Sequence, residues 1–273
     1  MSEVQSINVL DHGLVRLVSC MQPIDRHTEW DYTGTIQEDW TGDLEVVRNA
    51  RTSYDAAWRA GEDAGKDSKL IHRLDRERHT SPFESMVFTF EVRAPIFVLR
   101  QWHRHRTWAY SEISARYAEL PEVFYIPEAE HVGTQSKHDK QMRDIAEGAG
   151  ISDADLWFIR DLQKHSVDGF LHYKKHIAAG VPRELARLFL GLNTYSHMFA
   201  TVNLHNLLGF LMLRLDSHSQ YEIRVFAEAL LKLIEPIVPE SVRAFKLRQA
   251  LRLLPSEREE LLELRHRMAG LQK

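Results

Sequence analysis

The alternation of apolar and polar positions along the chain predicts a small number of strands. Residues 7–21 alternate on both sides of Asp11-His12-Gly13, which predicts two short strands joined by a turn. Apolar residues at positions 86, 88, 90 and 92 alternate with polar ones, so this segment is predicted to be a strand with one buried face. Residues 195–202 predict a further strand. The rest of the chain is predicted to be mostly helical.

Helical spacing of apolar residues, together with capping signals, predicts the helices. Asp43 is the expected cap of a helix over residues 44–51, and a second amphipathic helix is expected over residues 68–78. Ser81, Pro82 and Glu84 combine the signals of a helix start, including a capping box. Longer helices are predicted over residues 95–106, 154–179, 204–215 with Asn203 as cap, and 220–237 with Ser217 as cap and Pro239 as stop. The β-branched and aromatic residues at 107–110 favour a loop after residue 106.

We expect an α/β (α+β) fold, with a single domain of helices around a small mixed sheet. This domain is predicted to cover residues 1–245. A charged helical C-terminal extension is predicted over residues 246–273, where Ser256 and Glu259 complete another capping box. Residues 129–150 are polar and charged, which predicts a surface insertion.

The composition is that of an ordinary globular protein. Of 273 residues, 44% are hydrophobic and 27% are charged, so disorder is not expected. The formal net charge of -4 gives no general attraction to nucleic acid or to an acidic membrane, so any anion site must be local. No apolar stretch has the roughly 18 residues of a membrane helix, and the first residues lack the basic and apolar blocks of a signal peptide. We therefore expect a cytoplasmic protein without a nucleic-acid or membrane partner.

The single cysteine, Cys20, is predicted to lie in or beside a buried strand. A lone cysteine cannot form an internal disulfide, which agrees with a reducing compartment. No neighbouring Arg or His motif indicates a lowered thiol pKa. Cys20 is therefore not expected to act as a nucleophile.

The residues that carry chemistry are concentrated in one segment. Arg104-His105-Arg106 comes at the end of a predicted helix, and Ser114 and Arg116 follow it. Guanidinium groups bind phosphate through two parallel hydrogen bonds, and a serine hydroxyl can complete an anion pocket. A nucleotide phosphate is the expected ligand, although the basic triplet alone also fits a solvated helix end.

Two other residue types in this segment leave alternatives open. Glu112 is the only acidic residue there, and it fits either a structural ion pair with the arginines or an acceptor for sugar hydroxyls. His103 and His105 form a His-x-His pair, but zinc needs three or four ligands and no nearby cluster supplies the rest. We expect no metal, and we expect His105 to act at a cofactor.

The order of the motifs resembles that of the flavin-dependent thymidylate synthases. Arg104-His105-Arg106, seven further residues and then Ser114 look like the signature of that family. The likeness extends over about residues 7–245 in blocks that keep the family's order. The further blocks are Ala50-Arg51-Thr52-Ser53-Tyr54, Arg78-His79-Thr80-Ser81-Pro82-Phe83-Glu84, Ala94-Pro95-Ile96-Phe97-Val98 with Arg100-Gln101-Trp102, Val181-Pro182-Arg183-Glu184 with Ala186-Arg187, and Leu213-Arg214 with Asp216-Ser217-His218.

The resemblance implies a methyltransferase that uses FAD to methylate dUMP, with methylenetetrahydrofolate and NADPH as co-substrates and a homotetramer with shared active sites. It implies Arg214 as the catalytic residue, since this position matches the arginine that polarises the uracil ring. The matching substrate-binding positions are Gln101, Trp102, Arg104, Glu112, Ser114, Arg116, Arg187 and Arg214. The matching cofactor positions are Ser53, Ser81, Glu84, Arg104, His105, Arg106, Thr107, Glu112, Asn203, His205, Gly209 and His218, and His79 matches a histidine near the folate.

The implied chemistry agrees with the residue types. Uracil C5 is a poor nucleophile, and a cation at the N3/O4 edge stabilises the charge that develops when C5 attacks an electrophilic carbon. Arg214 suits this role because it keeps its charge at any working pH. The Cys-dependent thymidylate synthases instead add a thiolate to C6, a role for which Cys20 is not suited.

Two positions depart from the family pattern. Gly209 stands where many relatives carry Asn or His, so a side chain expected to flank the flavin is missing. His205 stands where others carry Arg, which exchanges a fixed charge for a titratable one. A UMP or dual UMP/dUMP methylase of nucleoside-antibiotic biosynthesis is therefore an alternative. A non-enzymatic nucleotide or nucleic-acid binder is a remote one, which the net charge disfavours.

Overall fold

A computed structural model describes residues 6–21, 41–138, 140, 142–144 and 150–251. The chain divides into two compact units. The sheet unit comprises Met1–Ser19, Phe88–Val202 and Leu213–Leu230, and the helical unit comprises Cys20–Val87, Asn203–Met212 and Leu231–Lys273. Within the described part of the chain, no helix combines the length and the apolar character needed to cross a lipid bilayer.

The described elements confirm the predicted fold class of helices with a small sheet. The strands are β1 (Ser6–Val9), β2 (Gly13–Cys20), β3 (Val87–Pro95), β4 (Ala109–Glu112), β5 (Thr134–Gln135), β6 (Arg143–Asp144) and β7 (Tyr195–Asn203). The helices are α1 (Gly42–Thr52), α2 (Ala64–Glu77), α3 (Ser81–Glu84), α4 (Ile96–Trp102), α5 (Asp153–Ala178), α6 (Arg183–Ala186), α7 (Leu204–Arg214), α8 (Tyr221–Ile234) and α9 (Pro239–Ala250). Short 3-10 turns occupy Ala57–Arg59, Ala129–His131 and Arg187–Phe189.

Five strands form the main sheet in the order β1-β2-β3-β7-β4. The pairs β1-β2 and β4-β7 are antiparallel, so each edge strand runs antiparallel to its neighbour. The sequence predicted a mixed sheet. The turn between β1 and β2 requires a glycine, because a Cβ atom on Gly13 would lie 2.3 Å from the carbonyl oxygen of Val9. The edge strand β4 is absent from the sequence prediction, which placed a loop there.

Helix α4 is shorter than predicted and ends at Trp102 instead of residue 106. The hydroxyl of Tyr110 donates to the carbonyl oxygens of Trp102, at 3.1 Å, and of His105, at 2.9 Å. These carbonyls would accept backbone N–H groups if the helix continued. Tyr110 therefore provides an alternative partner for them and stabilises the exit into β4.

The segment 129–150, predicted to be a surface insertion, is anchored at a buried carboxylate. Its described residues include the hairpin of β5 and β6. Arg143 on β6 donates from Nη2 to Oε1 of Glu222 at 2.9 Å, and the side chain of Glu222 is only 2% exposed. Tyr125 donates to the same oxygen at 3.0 Å. An ion pair with a buried partner ties the hairpin to the sheet unit.

Two capping predictions and one predicted helix stop are wrong. Helix α1 has Thr41 as its N-cap, without a side-chain hydrogen bond, so Asp43 does not cap it. Helix α3 has Thr80 as its N-cap and no side-chain cap bond, so the box predicted from Ser81 and Glu84 does not form. Pro239 begins α9 and does not itself end α8, which stops at Ile234. The box predicted at Ser256 and Glu259 lies outside the described residues.

Two other capping assignments can be compared with the structure. Asn203 caps α7 as predicted, since its Oδ1 accepts from the backbone N–H of Asn206 at 2.9 Å. Ser217 was the predicted cap of α8, but this helix begins four residues later, at Tyr221. The carbonyl oxygen of Ser217 accepts from Nη1 of Arg224 at 3.3 Å.

Asp43 caps a different helix from the one predicted. In the helical unit its carboxylate accepts from the backbone N–H groups of Glu240, at 2.7 Å, and Ser241, at 3.0 Å, and also from the hydroxyl of Ser241. The two N–H groups belong to the first turn of α9. Backbone N–H groups in the first turn of a helix have no acceptor within that helix. Asp43 is 4% exposed, so these bonds are shielded from water.

Replacing Asp43 with alanine should lower the free energy of unfolding by about 2–3 kcal/mol, because buried donors of α9 lose a charged acceptor. Urea denaturation of the variant and the parent measures this. Asp63→Ala is the matched control: Asp63 caps α2 through the N–H of Lys66 at 3.0 Å but at an exposed position, so about 0.5–1 kcal/mol is expected. Equal losses for the two variants would contradict the assigned role of Asp43.

Candidate active site

The loop that contains Arg104, His105 and Arg106 is fixed at both ends by buried tryptophans. Trp102 is fully buried and Trp108 is 6% exposed, and their rings pack edge to face with centroids 5.8 Å apart. The side chain of Trp102 is enclosed by protein and packs under the loop against Trp108. It has no exposed surface that a substrate could contact in this structure. The role of Trp102 as a nucleotide contact stays a prediction, which its burial does not favour.

The two arginines of the loop are available to bind a ligand. Arg104 and Arg106 are exposed, and neither guanidinium forms a hydrogen bond or an ion pair with another described residue. Thr107, the adjacent predicted cofactor residue, is also exposed. Charged donors without a protein partner are what a phosphate site requires.

His105 is more buried than the two arginines that flank it, and it contacts Arg214. The Nε atom of Arg214 donates to Nε2 of His105 at 3.0 Å, and its Nη2 donates to the carbonyl oxygen of Gln101 at 3.2 Å. Burial, and secondarily the charge of Arg214, lower the pKa of His105 to about 4. The imidazole is therefore neutral near pH 7 and accepts through Nε2, and its orientation fixes that of the guanidinium.

Gln101 extends the same network toward α8. Its Nε2 donates to Oε1 of Gln220 at 2.5 Å, while its carbonyl oxygen accepts from Arg214. Both side-chain amides are partly or fully exposed. The predicted nucleotide residue Gln101 thus lies in the same network as the predicted catalytic residue.

Glu112 ends β4 beside the neighbouring strand β7. Its Oε1 accepts from the hydroxyl of Ser196 at 2.6 Å, and its Oε2 lies 3.7 Å from Nε2 of His103. Among the described residues no arginine forms an ion pair with Glu112, so the structural Glu–Arg pair considered from the sequence is not observed. Ser196 is buried and was missed by the sequence analysis, since only the pairing of β4 with β7 brings it next to Glu112.

Arg116 and Arg187 meet at Glu184 on α6. The Nε atom of Arg116 donates to the Glu184 carboxylate at 3.1 Å, and Nε of Arg187 donates to the Glu184 carbonyl oxygen at 3.2 Å. The hydroxyl of Ser114 accepts from the backbone N–H of Arg116 at 3.3 Å. Glu184, which was not predicted as a site residue, therefore joins two predicted nucleotide residues: its carboxylate bonds to Arg116 and its backbone carbonyl to Arg187.

The remaining predicted cofactor and folate residues, except His218, belong to the helical unit. Ser53, Ser81, Glu84, His79 and Gly209 are exposed, whereas Asn203 and His205 are partly buried. A Cβ atom placed on Gly209 would have no atom within 4 Å, so the space left by the missing side chain is open. In the sheet unit His218 is exposed, and its Nδ1 lies 2.9 Å from Oδ1 of Asp216.

His79 and His205 line one small cavity of the helical unit. Arg248 on α9 also lines it and donates from Nε to both carboxylate oxygens of Asp75, at 3.1 and 2.9 Å. Asp75 is 8% exposed, so the pair is shielded from water. Neither Arg248 nor Asp75 could be assigned from the sequence, because they lie 173 positions apart.

The family profile that matches this chain is described as "Thymidylate synthase complementing protein", and it aligns with residues 35–240. A relative named flavin-dependent thymidylate synthase, from Ehrlichia ruminantium (strain Gardel), is 42% identical over 238 residues, which is 87% of this chain and 71% of the relative. The chain belongs to this family. The predicted membership in a family of methyltransferase enzymes is thereby confirmed.

Solved structures of the family show the same fold. A UMP/dUMP methylase, PolB from Streptomyces cacaoi, bound with 5-Br dUMP, has a TM-score of 0.71 and 33% identity, covering 88% of this chain and 97% of that one. The same protein bound with 5-Br UMP has a TM-score of 0.70 and 32% identity, covering 88% and 96%. The relative that this fold resembles has therefore been crystallised with analogues of both nucleotides.

The contact between His105 and Arg214 predicts a pH dependence of stability. The pKa of His105 is about 4 in the folded protein against an ordinary value of 6.5, so the unfolded chain binds a proton that the folded chain does not. The contribution of His105 to the free energy of unfolding should be complete above pH 6.5 and should decrease as the pH falls toward 4.

Urea denaturation at intervals between pH 7.5 and pH 5 should show the difference between parent and His105→Gln decreasing toward acid. Glutamine is the control, because its side-chain oxygen can accept from Arg214 without titrating. A difference that stays constant over this range would rule out a depressed pKa for His105.

Proposed function

We propose that this chain is a flavin-dependent thymidylate synthase that methylates dUMP at C5. Methylenetetrahydrofolate is the proposed carbon donor, and FADH2, regenerated by NADPH, is the proposed hydride source. The observation that carries the proposal is the position of Arg214, whose guanidinium is oriented by the neutral His105. In the chain His105 stands between Arg104 and Arg106, neither of which pairs with another described residue. The family membership and the nucleotide analogues bound by the related methylase support it.

The exposed arginines suit the phosphate of the nucleotide. We assign the substrate to Gln101, Arg104, Ser114, Arg116 and Arg187, with Glu112 as the acceptor for the sugar. Ser196 positions the Glu112 carboxylate by donating to one oxygen, which leaves the other oxygen for a ligand. Arg116 is paired with Glu184 in this structure, so binding of a phosphate would exchange one anionic partner for another.

The flavin is assigned to Arg104, His105, Arg106 and Thr107, together with the positions of the helical unit and His218. The chemical types fit a dinucleotide: exposed guanidinium groups for phosphates, and hydroxyl and carboxylate groups for the sugar hydroxyls. The open space at Gly209 presents no steric obstacle on that helix face. When bound, FADH2 would supply the hydride, and the protein would supply binding and orientation.

Arg214 is proposed to stabilise negative charge on the uracil ring. No described carboxylate forms an ion pair with it, and it donates hydrogen bonds to two neutral acceptors, Nε2 of His105 and the carbonyl oxygen of Gln101. Its positive charge is therefore not compensated by a side chain, while burial lowers its pKa from the usual arginine value. A fixed cation in a partly dry environment stabilises an enolate-like ring more strongly than a solvated one.

Cys20 does not fit the role of a nucleophile. Burial raises the pKa of its thiol above the ordinary value, so less thiolate is present at neutral pH. A mechanism without a covalent enzyme nucleophile agrees with this environment.

The alternative of a UMP or dual UMP/dUMP methylase is favoured by one observation. The related methylase has been crystallised with both 5-Br dUMP and 5-Br UMP, and this chain is similar to it over 88% of its length. The two proposals differ in whether the site around Glu112 accepts a 2′-hydroxyl. Tritium release from position 5 of labelled dUMP and labelled UMP compares them directly, and a preference for UMP would overturn the first proposal.

Arg214→Ala should lower kcat for tritium release from dUMP by about 100- to 1,000-fold, because the charge that develops on the ring loses its fixed cation. Flavin absorbance of the purified variant should be retained. Arg106→Ala should instead lose flavin absorbance, and Arg160→Ala on the exposed face of α5 is a control that should change neither quantity. A purified parent protein that is colourless and binds no added FAD would overturn the proposed function.

We also propose a homotetramer with shared active sites, since the sheet unit exposes large apolar side chains. Trp157 is 67% exposed, Leu188 77% and Leu192 67%. Monomeric proteins rarely expose extended apolar patches, which usually mark interfaces.

Replacing both Leu188 and Leu192 with aspartate should place charge in such an interface and shift the protein to smaller assemblies. Light scattering coupled to gel filtration measures the molar mass. Lys69→Asp, an exposed position on α2, is the control and should leave the mass unchanged. If the double variant keeps the parent's mass, these leucines are not part of the interface.

A further inference from the structure

A cavity of about 410 Å³ lies beside the start of α8 in the sheet unit. This volume falls within the range of small-molecule sites, about 300–1,000 Å³. One wall consists of Gln135, Met142 and Arg143 from the segment 129–150, and the other consists of residues 217–221 and Arg224. Apart from His218, none of these residues is among those predicted to bind a substrate or a cofactor.

The cavity contains two guanidinium groups in different electrostatic states. Arg143 is paired with the buried Glu222, so much of its charge is compensated. Arg224 donates to the carbonyl oxygen of Ser217 at 3.3 Å and lies 6.0 Å from the centre of the Tyr221 ring. No described carboxylate forms an ion pair with Arg224. It therefore brings a net positive charge to the cavity.

Tyr221 provides an aromatic wall and a hydroxyl donor. Its ring stacks on the ring of His131 with centroids 4.0 Å apart, which fixes its orientation. Burial, followed by the charges of Glu128, Glu222 and other groups, raises its pKa, so the hydroxyl keeps its proton at neutral pH. The carboxylate of Asp216 is directed to His218, at 2.9 Å.

The cavity is connected to the proposed active site through α8. Gln220 lines the cavity, and its side chain accepts from Gln101, whose carbonyl oxygen accepts from Arg214. All of these residues belong to the sheet unit. A ligand that reached from the proposed active site along this face of α8 would therefore encounter Arg224.

We propose that this cavity binds a phosphate group of a dinucleotide, with Arg224 as the anchoring cation and with Arg143, positioned by Glu222, as a second donor. A cation, a neutral hydroxyl donor and an aromatic wall match the phosphate and adjacent groups of such a ligand. The inference rests on the proposed function, since FAD and NADPH are the dinucleotides that this function uses. It gives the segment 129–150 a binding role where the sequence predicted only a surface insertion.

The test compares Arg224→Gln with Arg160→Gln. Arg160 is a matched control, because it is an exposed helix arginine of the same unit whose Nε donates to a backbone carbonyl, that of Leu156, at 3.3 Å. For each full-length variant, FAD affinity is measured by titrating flavin-free protein and following flavin fluorescence. KM is measured separately for NADPH and NADH in steady-state oxidation.

Loss of one charge-assisted phosphate contact should weaken binding roughly 10- to 100-fold. A rise of this size in the Kd for FAD assigns the cavity to the flavin's phosphates. A rise in KM for NADPH but not NADH assigns it to the 2′-phosphate, and an equal rise for both assigns it to the pyrophosphate of the reductant. Arg224→Lys, which keeps the charge, should recover part of the loss in each case.

The inference is overturned if all three constants of Arg224→Gln stay within twofold of the parent and of Arg160→Gln. Thermal unfolding monitored by circular dichroism checks that each variant is folded. If Arg224→Gln does not fold, the comparison uses Arg224→Ala, for which constants within twofold of the parent at low salt and at high salt alike overturn the inference. Failure of the proposed function has a different signature, because the unmodified protein would then bind no FAD.

Discussion

The burial of Trp102 and Trp108 is the constraint on which the candidate site depends. Their indole rings meet in the core of the sheet unit, and Trp102 also packs against Phe226 on α8 with centroids 6.1 Å apart. With both ends of the loop fixed in this way, Arg104, Arg106 and Thr107 are exposed, whereas His105 is partly buried against Arg214. Tyr110 stabilises this part of the chain by donating to the carbonyl oxygens of Trp102 and His105. The arginines are consequently exposed by the packing around them. Replacing either tryptophan would alter the site through this packing, without removing any polar group that contacts a ligand.

The pattern of apolar positions predicted two kinds of element: those stabilised by contacts between residues close in sequence, and those with one continuous buried face. Strand β3 has an uninterrupted period of two, and α5 has an N-terminal capping box, here Ser152 with Asp155. The prediction was wrong where a side chain bonds to a distant part of the chain. Asp43 is a residue type that commonly caps the helix that follows it. Its carboxylate instead accepts from the N–H groups of Glu240 and Ser241 in α9, which are 197 and 198 positions away. The end of α4 was missed for a related reason, since Tyr110 competes for the carbonyls that a longer helix would have used.

The motif residues of the site could be identified from the sequence, but their supporting residues could not. Ser196, Glu184 and Gln220 each orient a predicted site residue, and each comes from another part of the chain. Serine, glutamate and glutamine are common in proteins and carry no signal of their own, so only the fold reveals these partners. The roles of the predicted site residues stay proposals. Three of the predicted positions in the sheet unit, Gln101, Arg214 and His105, are nevertheless connected by hydrogen bonds.

The contrast between Arg214 and two other arginines of the sheet unit, Arg116 and Arg143, shows the effect of this arrangement. Arg116 and Arg143 both pair with carboxylates, and their charges are therefore largely compensated by the protein. Arg214 is oriented by an imidazole nitrogen and a carbonyl oxygen, which fix its direction but carry no formal charge. Partial burial lowers the pKa of Arg214, and the burial of His105 together with the nearby charge of Arg214 lowers the pKa of His105. A carboxylate in place of His105 would neutralise the charge of Arg214. A neutral histidine keeps the guanidinium in one orientation and leaves its full charge to act on a ligand that becomes negative during the reaction.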